Sequence, residues 1–147
     1  MITVLLVRHA DIDLPPGSTD PSLNAAGRAR AKTLAQVAGA AGVATIFTSS
    51  FKRTKQTVQP LATLLGLQPR VAPEPEDLAH EVSSGAAGTV VLIAGHSNTV
   101  PEMIAAFGVS AAVAPIGESE FDNLFVVSVA GPGQASVVHL KYGKPSA

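Results

Sequence analysis

Two histidines and two arginines stand where this chain could act on a ligand. Arg8 and His9 close the apolar run 2–7, and Gly95-His96 follows a second such run, 89–94, the two histidines lying 87 positions apart. An imidazole so placed can serve as a nucleophile or an acid–base group near neutral pH. A guanidinium can hold two oxygens of one anion. Gly95-His96-Ser97-Asn98 also opens an expected helix, whose free N–H groups favour an anion. Arg53 lies in the first turns of another expected helix, beside Lys52 and Lys55. Cations there oppose the helix dipole, and a bound anion would offset that. Lys52 and Lys55 read as solvated, and Arg53 as the ligand. Each feature alone has a plainer reading: Arg8 paired with Asp11 or Asp13, His9 bonded only to backbone, and His96 packed in a turn. A metal held by His9, His96 and an acid is disfavoured, because the arginines would repel a cation.

The elements that must position these groups follow from the pattern of apolar residues. Residues 2–7 form a continuous β-branched run, expected as a central strand buried on both faces. Residues 10–24, rich in Asp, Pro, Gly and Ser, form a long loop. Asn24 caps a helix to about residue 40, with Ala31, Leu34, Ala35 and Ala38 inward and Arg28, Arg30 and Lys32 toward solvent. A strand over 43–48 leads to a helix over 51–65, interrupted or kinked near Pro60 and ended by Gly66. A short strand at 70–72, a short helix at 77–84, a buried strand at 89–94 and a helix at 99–107 come next. Residues 123–130 and 135–141 flank Gly131-Pro132-Gly133 as an antiparallel hairpin. The alternation predicts an α/β fold: a three-layer α/β/α sandwich, its central sheet mostly parallel with an antiparallel edge hairpin, as one domain over 1–147. Ligands of such sheets bind beyond the carboxyl ends of the strands, where both histidines sit.

Four segments, in order, carry a resemblance. They are Leu6-Val7-Arg8-His9-Ala10, then Leu23-Asn24-Ala25-Ala26-Gly27, then Thr48-Ser49-Ser50-Phe51-Lys52-Arg53-Thr54 with Thr57, then Gly95-His96-Ser97-Asn98-Thr99. Together they resemble the histidine phosphatase superfamily, also called phosphoglycerate-mutase-like. The resemblance implies that His9 is a nucleophile that becomes phosphorylated, while Arg8, Arg53 and His96 bind the phosphoryl group. Donors at Ser97, Asn98 and Asn24 are expected to complete the cradle. Two guanidiniums and a protonated imidazole would stabilise the charge spread over the phosphoryl oxygens, with no metal or other cofactor. The chain departs from the commonest family form in having Ala10 where a Gly follows the Arg-His pair. The family's proton-donating Glu also has no clear counterpart. Asp11 is the leading candidate, with Asp13, Asp20, Glu74 and Glu76 as others; Glu74 and Glu76 read better as parts of a loop and helix cap. A short chain without a strong acid resembles small phosphohistidine phosphatases. The expected activity is hydrolysis of phosphomonoesters or phosphohistidine, on a phosphorylated small molecule or a phosphohistidine protein. A mutase and a phospho-ligand binding module without turnover are the alternatives.

Composition closes off other classes. Ten basic against eleven acidic residues give a net charge of −1, so an anion site must be built locally. Tyr142 is the one tyrosine and there is no tryptophan, so no stacking platform for nucleic acid is expected. The apolar runs are too short to span a membrane, and no basic segment precedes the first, so a cytoplasmic location is expected. His80 reads as a surface residue and His139 as an edge residue. Phe47, Phe107, Phe121 and Phe125 read as packing.

Overall fold

The apolar run after Met1 forms strand β1 (Ile2–Arg8) at the middle of a six-stranded sheet. This is a computed structural model, and it describes residues 1–146. β2 (Thr45–Thr48), β3 (Arg70–Val71) and β4 (Val90–Gly95) lie to one side, and the hairpin of β5 (Asn123–Gly131) and β6 (Gln134–Lys141) to the other. The order across the sheet is β3-β2-β4-β1-β5-β6. Pairings from β3 to β1 are parallel; β5 runs antiparallel to β1, and β6 antiparallel to β5. The expected α/β sheet with its antiparallel edge is what the chain forms.

Helices cover both faces, and the strands' alternation sorts their side chains between them. Val7, Ile46, Leu92 and Leu124 pack with Leu34 of α1 (Ala25–Ala38) and with Val58 and Leu61 of α2 (Lys52–Leu65). Val4, Leu6, Phe47 and Ile93 point the other way. They meet Leu78 and Val82 of α3 (Pro75–Ser83) and Val100 and Ile104 of α4 (Thr99–Ala106). Each such buried aliphatic or aromatic side chain contributes about 1.5–3 kcal/mol. Among the described residues no helix is long and apolar enough to cross a membrane.

Three local details matter for the site. Asn24 caps α1 as expected, its side chain accepting from the Gly27 N–H. Gly27 is needed there because a Cβ would run into the Asp11 carbonyl of the loop that follows β1. α2 runs unbroken through Pro60 to a left-handed Gly66, correcting the expected interruption. Proline removes one N–H, but Val58, Leu61 and Ala62, all buried on the sheet, hold the helix in place. Arg30 is likewise not solvated: it is buried, 5% exposed, and bonded to Asp11 and to the carbonyls of Tyr142 and Lys144.

Candidate active site

Parallel pairing of β1 with β4 sets Arg8 opposite Gly95, and the His9 N–H donates to the Gly95 carbonyl at 2.8 Å. That register brings the two distant histidines to a ring separation of 5.4 Å. β2 lies beside β4, so the helix leaving it carries Arg53 to the same end of the sheet. Arg8, His9, Arg53 and His96 line one cleft of about 510 Å³. Thr57 ties α2 to β1: its hydroxyl donates to the Arg53 carbonyl and accepts from the Ala10 N–H, each at 2.7 Å.

The protonation of His9 is fixed by its neighbour. Nδ1 lies 2.8 Å from the Ala10 carbonyl, which only accepts, so Nδ1 carries the proton and Nε2 keeps its lone pair. Burial, opposed by that hydrogen bond and helped by the charges of Arg8, His96 and Arg53, pushes the ring down to about 3. Burial, then Arg53 and Arg8, pushes His96 down to about 4. Burial among cations therefore favours the neutral form of both imidazoles at pH 7. An anion between the arginines would oppose the charge part of that shift.

His96 is also held. Its Nε2 lies 2.8 Å from Ser49 Oγ, which lies 2.8 Å from Thr54 Oγ1. Thr54, wholly buried, can donate to the Phe51 carbonyl at 3.0 Å. The chain is satisfied in either direction, with Ser49 accepting from His96 Nε2–H and donating to Thr54, or accepting from Thr54 and donating to the Nε2 lone pair.

The two arginines are only partly satisfied. One Arg8 nitrogen, Nη1, donates to the carbonyls of Gly117, Glu118 and Glu120 at 3.1, 2.8 and 2.9 Å. Arg8 Nε, Arg53 Nε and Arg53 Nη1 are buried with no hydrogen-bond partner. A buried donor left so costs about 1–3 kcal/mol, more when charged. Aromatic rings back both groups, Phe121 at 4.3 Å from the Arg8 guanidinium and Phe51 at 4.5 Å from that of Arg53. The arrangement sets two guanidiniums and one imidazole lone pair around a single cleft.

A family model described as histidine phosphatase superfamily (branch 1) matches residues 4–86. The chain belongs to this superfamily. No curated protein matches it. Solved structures share its fold. The protein histidine phosphatase SixA complexed with tungstate superposes with a TM-score of 0.79 at 18% identity, covering 95% of this chain and 97% of that one. A putative phosphohistidine phosphatase SixA from Agrobacterium tumefaciens gives 0.67 at 21% identity, covering 97% and 98%. A mycobacterial glucosyl-3-phosphoglycerate phosphatase with inorganic phosphate gives 0.71 at 16% identity, covering 99% and 98%. Family and neighbours together support a phosphatase.

Within this histidine phosphatase fold the remaining expected residues divide. Ser97 and Asn98 line the cleft. Asn24 does not: its side chain is spent on the helix cap and on Asp13 at 3.2 Å. Asp11 is turned away to Arg30 at 2.7 Å, so its expected place as a catalytic acid in the cleft is not met. Asp20 accepts from the Lys52 N–H at 2.9 Å and so caps α2. Glu74 and Glu76 begin α3, and Glu74 lines a smaller neighbouring cavity of about 210 Å³. Ala10, where the family favours Gly, is fully buried and packs with Ile12, Leu23, Ala31 and Phe121. Sequence reasoning missed Ser49, Phe51 and Glu118 at the site, and read Phe121 as packing alone. The spacing Phe51-x-Arg53 could have suggested the first aromatic contact; nothing marked Glu118.

Proposed function

We propose that this chain is a metal-independent phosphatase acting through a covalent phosphohistidine on His9, with a phosphomonoester or phosphohistidine as substrate. The observation that carries the reading is the convergence of Arg8 and Arg53, each with guanidinium nitrogens that no protein group satisfies, on the cleft that also holds His9. The first step forms a bond from His9 Nε2 to phosphorus and breaks the bond to the leaving oxygen or nitrogen, which departs with the electron pair and takes a proton from solvent. Water then attacks phosphorus; the phosphorus–Nε2 bond breaks, the electron pair returns to the imidazole, and phosphate leaves. Arg8 and Arg53 serve as fixed donors to the phosphoryl oxygens, worth most where charge develops in the transition state. His96, held by Ser49, adds a donor when it is protonated. Tungstate and inorganic phosphate in the structural neighbours are tetrahedral oxyanions of the kind this cradle would take.

The test is single-turnover hydrolysis of 4-nitrophenyl phosphate in EDTA with acid-labile phosphoenzyme trapped by rapid quench. Wild type is expected to release phosphate and to carry label on His9. His9→Ala is expected to remain folded by circular dichroism and to lose both label and turnover. Turnover in that variant would remove His9 from the mechanism, and binding of phosphate without any release by wild type would favour a binding module.

A further inference from the structure

The cleft is much larger than a phosphoryl group, and its outer wall has a charge pattern that phosphoryl binding does not explain. Beyond the two histidines and two arginines, that wall is contributed by Ile12, Leu14, Pro16, Pro21 and Phe51, together with hydroxyl and amide side chains. No lysine and no third arginine lines it, and Glu118 is its one carboxylate among the described residues. The Glu118 backbone is pinned, because its carbonyl accepts from Arg8 Nη1 at 2.8 Å. The turn that carries it is braced by Glu120, which accepts from the Gly117 N–H at 3.0 Å and from the Asn123 amide at 3.3 Å. Glu118 is thus carried on a fixed turn beside the phosphoryl cradle.

We propose that the outer cleft selects phosphomonoesters with an uncharged, partly apolar leaving group, and that Glu118 is the specificity residue that excludes leaving groups bearing a carboxylate or a second phosphate. The inference rests on the phosphatase reading above and narrows its substrate class. In that reading the donors the two guanidiniums have left hold the phosphoryl oxygens, so a second anion on the substrate meets no further cation in the wall and does meet Glu118. Its desolvation goes uncompensated and like charges approach. An apolar leaving group instead covers Leu14 and Phe51, both exposed, and removes their surface from water.

The experiment compares kcat/KM for phenyl phosphate and 4-(carboxymethyl)phenyl phosphate, which share a phenolate leaving oxygen and differ by one remote charge. Wild type at low salt is expected to prefer phenyl phosphate by about ten-fold, the scale of one partly screened like-charge contact plus an unpaired carboxylate. The preference should shrink as salt is raised, fall to about three-fold or less in Glu118→Gln, and invert in Glu118→Lys. Equal kcat/KM for the two esters in wild type, or an unchanged ratio in Glu118→Gln, would overturn the inference while leaving the phosphatase intact. Hydrolysis of neither ester would overturn the phosphatase reading and this inference with it. Should Glu118→Gln fail to fold, the salt dependence of the wild-type ratio decides, a flat response counting against Glu118.

Discussion

At the scale of single residues, each charged or titratable group in the cleft is defined by one neighbour. The Ala10 carbonyl fixes the His9 tautomer, and Ser49, itself bonded to the buried hydroxyl of Thr54, fixes the orientation of the His96 ring. Ser49→Ala leaves His96 Nε2 without its hydroxyl partner, so the ring loses its preference for one tautomer. The expected result is a change in the His96 ring-nitrogen shifts by NMR toward a tautomer mixture, with kcat falling more than KM rises and Ser49→Thr recovering most of the loss. Unchanged ring shifts in Ser49→Ala would mean that the hydroxyl does not hold the imidazole. Arg8, His9, Arg53 and His96 were legible in the sequence because each follows an apolar run or opens a helix after one. Glu118 and Phe121 were not. They come from the irregular stretch before β5, and only the antiparallel pairing of β5 with β1 delivers that stretch to Arg8.

At the scale of elements, the site is assembled by joints between segments distant in sequence. The loop after β1 is clamped to α1 through Asp11 and Arg30, and the same guanidinium holds the carbonyls of Tyr142 and Lys144 beyond β6. Helical periodicity placed Arg30 with the solvated residues because it weighs side-chain type and phase, and it cannot see a carboxylate and two carbonyls waiting in other segments. The expectation for Asp11 failed for the same reason: an acid close to His9 in sequence is paired across 19 positions. Arg30→Met should therefore cost about 3–5 kcal/mol in urea unfolding, since it strands a mostly buried carboxylate. Asp11→Asn should also cost stability and yet retain 4-nitrophenyl phosphate hydrolysis below the unfolding transition. A stable Asp11→Asn enzyme without turnover would instead return Asp11 to the chemistry.

At the scale of the whole molecule, the buried cleft histidines are a source of acid sensitivity. The fold holds His9 neutral by burying it at 3% exposure among cations, with its pKa near 3 against 6.5 in the unfolded chain. Between those values the unfolded state binds more protons than the native state, so unfolding free energy rises with pH across that window. The contribution is fully present above pH 6.5 and is lost as pH falls toward about 3. Integrated from pH 7 to pH 5, one such proton is worth about 2 kcal/mol. His96, lowered to about 4, adds in the same direction and, down to pH 5, by nearly as much. Urea unfolding of wild type and His9→Asn at both pH values isolates the term, because any constant cost of the substitution cancels between them. Wild type is expected to lose about 2 kcal/mol more than the variant on acidification. Equal losses would show that burying this imidazole carries no protonation penalty, and that its neutral form is not maintained by the fold.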